Sequence, residues 1–169
     1  MHRIEFICQR EQSIYPHDSC HVVCLLMLLK FVNFFPLPSY EDLCKSLTLS
    51  SGDFNLGPSM SSAELLKLIV KSAEEVTKFI VRNNLNFRNL FRKEDWEEAL
   101  KTAPIMAAMS GGRRFWGESG HMIILTQFRE GIFTYLDPWF PAATNHHIKT
   151  IDIDTFYKYY GGFSFQLLP

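Results

Sequence analysis

Between Cys20 and Asn33 the chain reads CHVVCLLMLLKFVN, a run that is apolar on nearly every face when wound as a helix. A helix with no polar side has to be enclosed, so the remaining chain must supply layers that surround it. Its most apolar part, Val22 to Leu29, is stopped by Lys30 and is too short for a bilayer, which needs about 20 apolar residues. The chain has 169 residues, and the expectation is one domain spanning 1–169. A domain of that size buries roughly 70% of its unfolded surface and needs no staple. With 47% hydrophobic residues and fifteen Phe, the composition excludes a disordered chain. The formal charge of −1 gives no reason to expect nucleic acid or an anionic membrane as partner.

The four cysteines, at 8, 20, 24 and 44, are not required as disulfides by a core this apolar, and free thiols in a reducing compartment are expected. The opening MHRIEFICQREQ has no long apolar stretch of the kind a secretory signal carries. The protein is therefore expected to be soluble, either cytoplasmic or exported without such a signal.

Along the chain, Arg3 to Cys8 reads as a short entering strand, followed by a polar loop from Gln9 to Ser19 with Pro16. Asp18 and Ser19 offer N-cap chemistry for the buried helix, and Phe34-Phe35-Pro36 ends it. Ser39-x-x-Asp42 and Ser61-x-x-Glu64 open two more helices, with Gly52, Gly57 and Pro58 marking the loop between them. A fourth helix is expected over about 93–101. The character then changes: PIMAAM, HMIILTQF and IFTYLDP read as strands, with Arg129-Glu130-Gly131 turning between the last two. A polar stretch with His146 and His147, a short helix near Asp154 to Tyr160 and a final strand FSFQLL complete the chain. The order is a helical first half and an antiparallel second half, an α+β arrangement.

Chemistry concentrates at three places. A nucleophilic cysteine needs a cheaply ionised thiol, an oriented base and a donor for the oxyanion. Cys20 stands at the start of the buried helix, where free amides and the helix dipole favour thiolate, whereas Cys24 lies one turn inside. His121 opens a strand after the glycine-rich SGGRRFWGESG, and Asp137 ends the next strand in YLDPW. From His121 to the turn is eight residues and from the turn to Asp137 seven, so a hairpin brings the two to one end. A carboxylate there would fix the tautomer of His121 and stabilise its imidazolium.

Taken together, Gln9, Cys20 in Cys20-His21-Val22-Val23-Cys24-Leu25-Leu26-Met27, Gly120-His121 and Asp137-Pro138 resemble the papain-like bacteriocin-processing peptidases, family C-39, and C-39-like proteins. The pattern there is C-x-x-x-[SC]-L-x-M at the head of a helix, with a later Gly-His strand whose partner ends in Asp-Pro. The resemblance runs over nearly the whole chain. It implies a papain-like fold with the nucleophile on a buried helix and a C-terminal antiparallel sheet carrying His and Asp. It implies Cys20 as nucleophile, His121 as base, Asp137 as orienting acid and Gln9 as oxyanion donor. Gln12 is the alternative donor, and Gln9 is preferred because it ends the apolar RIEFIC segment. His21 stands where the group often has Gly, Trp or Asn, a bulk that the substrate cleft has to accommodate.

Each residue has a plainer reading. A cysteine on an apolar helix is usually core, a strand-end histidine is usually structural, and Asp before Pro is a common turn element. Only the ordered set outweighs these. A zinc site from Cys20, His21, Cys24, His146 and His147 lacks a second close cysteine pair, so no metal or cofactor is expected. Arg113, Arg114, Phe115 and Trp116 fit either a solvated loop or a substrate lid. The expected function is a thiol protease with a peptide or protein substrate, of the kind used as a bacterial effector or toxin and held in check by an immunity or inhibitor protein. The same residues would also serve a deamidase, transglutaminase or amidase, or persist in an inactive peptide-binding module.

Overall fold

The computed structural model describes residues 2–14, 19–47, 62–90, 92–110 and 120–169. Among them are five helices, α1 (Cys20–Phe31), α2 (Tyr40–Ser46), α3 (Ser62–Arg82), α4 (Lys93–Thr102) and α5 (Ile153–Tyr159). Six strands accompany them: β1 (Phe87–Asn89), β2 (Ile105–Met109), β3 (His121–Arg129), β4 (Ile132–Leu136), β5 (Ile148–Asp152) and β6 (Tyr160–Leu167). The strands form one sheet in the order β1-β6-β2-β3-β4-β5, with every neighbour antiparallel. The α+β class, with helices packed on an antiparallel sheet, is as expected.

Helix α1 is enclosed, as its composition demands: every residue from His21 to Leu29 is buried. It packs with α2 and α3 on one face of the sheet, against Met106, Ala108, Met122, Ile124, Phe165 and Leu167. The opposite face carries α4 and α5, with Trp96, Leu100 and Phe156 against Ile105, Ala107, Ile123, Leu125 and Phe133. Strands β2 and β3 are therefore covered on both faces, which is why their sequences run apolar without a break instead of alternating with polar residues. Helix α1 stops at Phe31, two residues before the expected end, because Asn33 takes a left-handed φ of 53°. The Ser39 cap forms as read, its side chain accepting from the Asp42 amide at 3.1 Å. Ser19 precedes α1 without a side-chain capping bond.

Three expectations change. Arg3 to Cys8 is not a strand and forms no part of the six-stranded sheet. It runs instead as a strap between α1 and the sheet: Glu5 pairs with Lys30 of α1, and the Phe6 ring lies 4.1 Å from that of His147. Its end is a single 3-10 turn, Gln9–Glu11. Strands β1 and β5 were not expected; β5 follows His146 and His147 of the stretch read as polar, and of its five residues Ile151 alone is buried. The Ser61 cap, the loop with Gly52, Gly57 and Pro58, and the segment with Arg113 to Trp116 lie outside the described residues.

Candidate functional site

The hairpin β3–β4 determines where His121 and Asp137 meet. Starting at the turn, Arg129 pairs with Ile132, Phe128 with Phe133 and Gln127 with Thr134. A bulge then intervenes, and Leu125 pairs with Tyr135 and Ile124 with Leu136. Leu136 ends β4 and His121 opens β3, so Asp137, the next residue, lies at the same end of the hairpin as His121. The result is a direct contact, His121 Nε2 to Asp137 Oδ1 at 2.7 Å, with both residues buried.

Asp137 is held on every side. Its Oδ1 also accepts from the Trp139 amide at 3.1 Å, its Oδ2 accepts from Lys149 Nζ at 3.2 Å, and its own amide donates to the His147 carbonyl at 2.8 Å. Burial would raise the pKa of Asp137, but the His121 hydrogen bond and the charges of His121 and Lys149 hold it below the ordinary value. The carboxylate is ionised at neutral pH.

The first turn of α1 brings Cys20 to the imidazole. Since Nε2 is engaged by Asp137, Nδ1 is the nitrogen left for the thiol. Burial by itself would raise the Cys20 pKa; hydrogen bonds to His121 and His21, and their charges, bring it down to about 6. Burial likewise opposes charging of His121, but Asp137 and Cys20 raise it to about 9. A thiol that ionises below its neighbouring imidazole rests as a thiolate–imidazolium pair between those two values. Cys24 behaves oppositely: buried one turn deeper, with Cys20 and Asp137 as negative neighbours, its pKa is pushed well up. The thiol of Cys44 is raised as well, chiefly by burial. All four cysteines are free.

Gln9 is buried at 1% exposure, and its amide donates to the carbonyl of Pro138 at 2.9 Å, next to Asp137. Arg10 lies over the Trp139 ring at 5.3 Å, fixing the same strap to the same turn. Gln12 is committed elsewhere, its Nε2 donating to the Cys8 carbonyl at 2.7 Å. The structure thus brings together Cys20, His121 and Asp137, and places Gln9 on the turn that follows Asp137. His146 is exposed, and among the described residues no group of three or more metal-ligating side chains occurs.

Two contacts were not visible in the sequence. His21, read as bulk beside the nucleophile and weighed as a zinc ligand, is buried and hydrogen-bonds the Cys20 thiol. Lys149 lies in a stretch read as polar and carried no signal before β5 gave it a register. Among the described residues no helix is long and apolar enough to cross a membrane.

No protein-family model matches the chain, and no curated protein sequence does. Solved structures do. An inferred C-39-like peptidase from Bacillus anthracis superposes with a TM-score of 0.64 at 11% identity, over 99% of this chain and 95% of the other. A double glycine motif protease from an AMS/PCAT transporter, in complex with its leader peptide, gives 0.56 at 14% identity, over 99% and 92%. The peptidase domain of Streptococcus ComA, a bifunctional ABC transporter of a quorum-sensing pathway, gives 0.53 at 13%, over 89% and 91%. At these identities the likeness speaks for architecture, and the chain has the fold of the papain-like C-39 peptidase domains.

Proposed function

We propose that this chain is a papain-like cysteine peptidase in which Cys20 is the nucleophile, His121 the general base and acid, Asp137 the orienting carboxylate and Gln9 an oxyanion donor. The observation that carries the reading is the continuous contact from the Cys20 thiol through His121 to Asp137, with Nε2 of the imidazole 2.7 Å from the carboxylate. A buried thiol beside a histidine has plainer explanations, but one that ionises before its partner is built for attack.

In the proposed reaction the Cys20 thiolate adds to the carbonyl carbon of a peptide bond. The oxyanion that forms is met by the amide of Cys20, one of the free amides at the start of α1, and by the side-chain N–H of Gln9. The His121 imidazolium gives its Nδ1 proton to the departing amine, which leaves Cys20 as a thioester. His121, now neutral, takes a proton from water as it attacks the thioester, and collapse returns the thiolate. Asp137 remains ionised throughout and keeps Nε2 protonated, so Nδ1 is the atom that exchanges the proton. A peptide substrate is supported by the fold-mate bound to a leader peptide.

Incubation with a peptide library, read by mass spectrometry for new termini, tests the proposal against a Cys20→Ala control. New termini that vanish in the variant are expected. Products about one dalton heavier with no chain cut would assign the site to deamidation, and an unchanged library would leave a binding module.

A further inference from the structure

His121, Asp137 and Lys149 form a row across three neighbouring parts of the sheet. In the β4–β5 ladder Tyr135 faces Lys149, and two residues on the Asp137 amide bonds to the His147 carbonyl. Lys149 is therefore the diagonal neighbour of Asp137 on one side, as His121 is on the other. The two groups divide the carboxylate between them: His121 Nε2 takes Oδ1 at 2.7 Å and Lys149 Nζ takes Oδ2 at 3.2 Å.

The ammonium is itself held. The turn from Asp137, closed by the Phe140 amide on the Asp137 carbonyl at 3.3 Å, sets the Phe140 ring 3.6 Å from Lys149 Nζ. The Asp137 side chain is 2% exposed and that of Lys149 29%, so the pair, with the ring face beside it, is screened less than a surface ion pair.

We propose that Lys149 is a positioning residue of the reaction: it fixes the second oxygen of Asp137 and, by sharing that carboxylate's charge, sets how readily the His121 imidazolium gives up its proton. The inference rests on the peptidase reading given above for its purpose, but its physics concerns only the free protein. An imidazolium next to an unshared buried carboxylate is a poor acid, because loss of its proton strands the negative charge. Lys149 removes part of that penalty. Protonation of the leaving amine by His121 becomes easier, while the thiolate–imidazolium pair survives. The other groups facing His121 are Cys20, with His21 and Cys24 behind it on α1, and Tyr135 beside Asp137 on β4. Lys149 is the cation among them that bonds to the carboxylate.

The test follows the His121 ring by NMR against pH, its signals assigned by their loss in His121→Gln, and needs no substrate. Lys149→Gln keeps an N–H for Oδ2 and removes the charge; the His121 titration should move upward by roughly one pH unit. Lys149→Arg should leave it near the wild-type position. Should the Gln variant fail to fold, Lys149→Met provides the same reading. A titration that stays in place or moves down in a folded neutral variant overturns the proposal. Failure to cut any peptide, with the titration shifting as stated, would sink the peptidase reading and leave the role of Lys149 standing.

Discussion

At the scale of the residue, the site is a contest between burial and partners. Burial works against the thiolate of Cys20 and the imidazolium of His121; His121 and His21 offset it for the thiolate, and Asp137 and Cys20 offset it for the imidazolium. Cys24 shows the outcome without a partner cation: the same helix, one turn deeper, and a thiol pushed far up. Limited alkylation with iodoacetamide should therefore label Cys20 far ahead of the others. At pH 7 a thiol with a pKa of about 6 is roughly nine-tenths ionised, some thirtyfold more than an ordinary cysteine. The rate should climb through an acid limb near pH 6 and change again near pH 9, where His121 loses its proton. Peptide mapping that finds Cys8, Cys24 or Cys44 labelled first would remove Cys20 from the centre of the site.

At the scale of the element, α1 combines two tasks: its body fills the core, and its first turn presents the thiol. Leu29 is fully buried near the far end of the helix. Leu29→Ala should cost about 2–5 kcal/mol by emptying a packed site, seen as a lower denaturation midpoint. The pH profile of Cys20 alkylation should persist below the transition. A loss under about 1 kcal/mol would mean that α1 is not enclosed as described. The enclosure was legible in the sequence because an all-apolar helix has nowhere else to go, and the β3–β4 hairpin was legible from its turn residues. The register was not. Counting residues from the turn puts His121 and Asp137 at one end, but the bulge between Leu125 and Gln127, which shifts the pairing by one residue, was not part of that count. A bulge with no glycine leaves no mark in the sequence. Strand β5 was hidden for a related reason: with only Ile151 of its five residues buried, it lacks the alternation by which an edge strand is recognised. The strap from His2 to Cys8 is the converse case, apolar enough to read as a strand but forming no ladder with the sheet.

At the scale of the whole molecule, the charged pair links folding to pH in a way that either residue alone would not. Cys20 has a lowered pKa in the folded state, so its contribution to stability is present above its ordinary value and is lost as pH falls through about 6. His121 has a raised one, so its contribution is present below its ordinary value of about 6.5 and is lost as pH rises through about 9. Between about 6.5 and 8.5 the folded protein has moved a proton from Cys20 to His121, while the unfolded chain keeps the thiol protonated and the imidazole neutral. The number of protons bound by the pair is then the same in both states, and the two slopes cancel. Cys20→Ser breaks the cancellation. The hydroxyl does not ionise, Asp137 still favours the imidazolium, and folding of the variant takes up a proton that becomes scarcer as pH rises. Stability of the variant relative to wild type should fall from pH 6.5 upward by as much as about 1.4 kcal/mol per pH unit, levelling once His121 of the variant is neutral. Urea denaturation of both proteins at pH 6.5 and pH 8.5 measures the difference directly. A gap between the two proteins that is the same at both values would mean that Cys20 and His121 do not share a proton in the folded state.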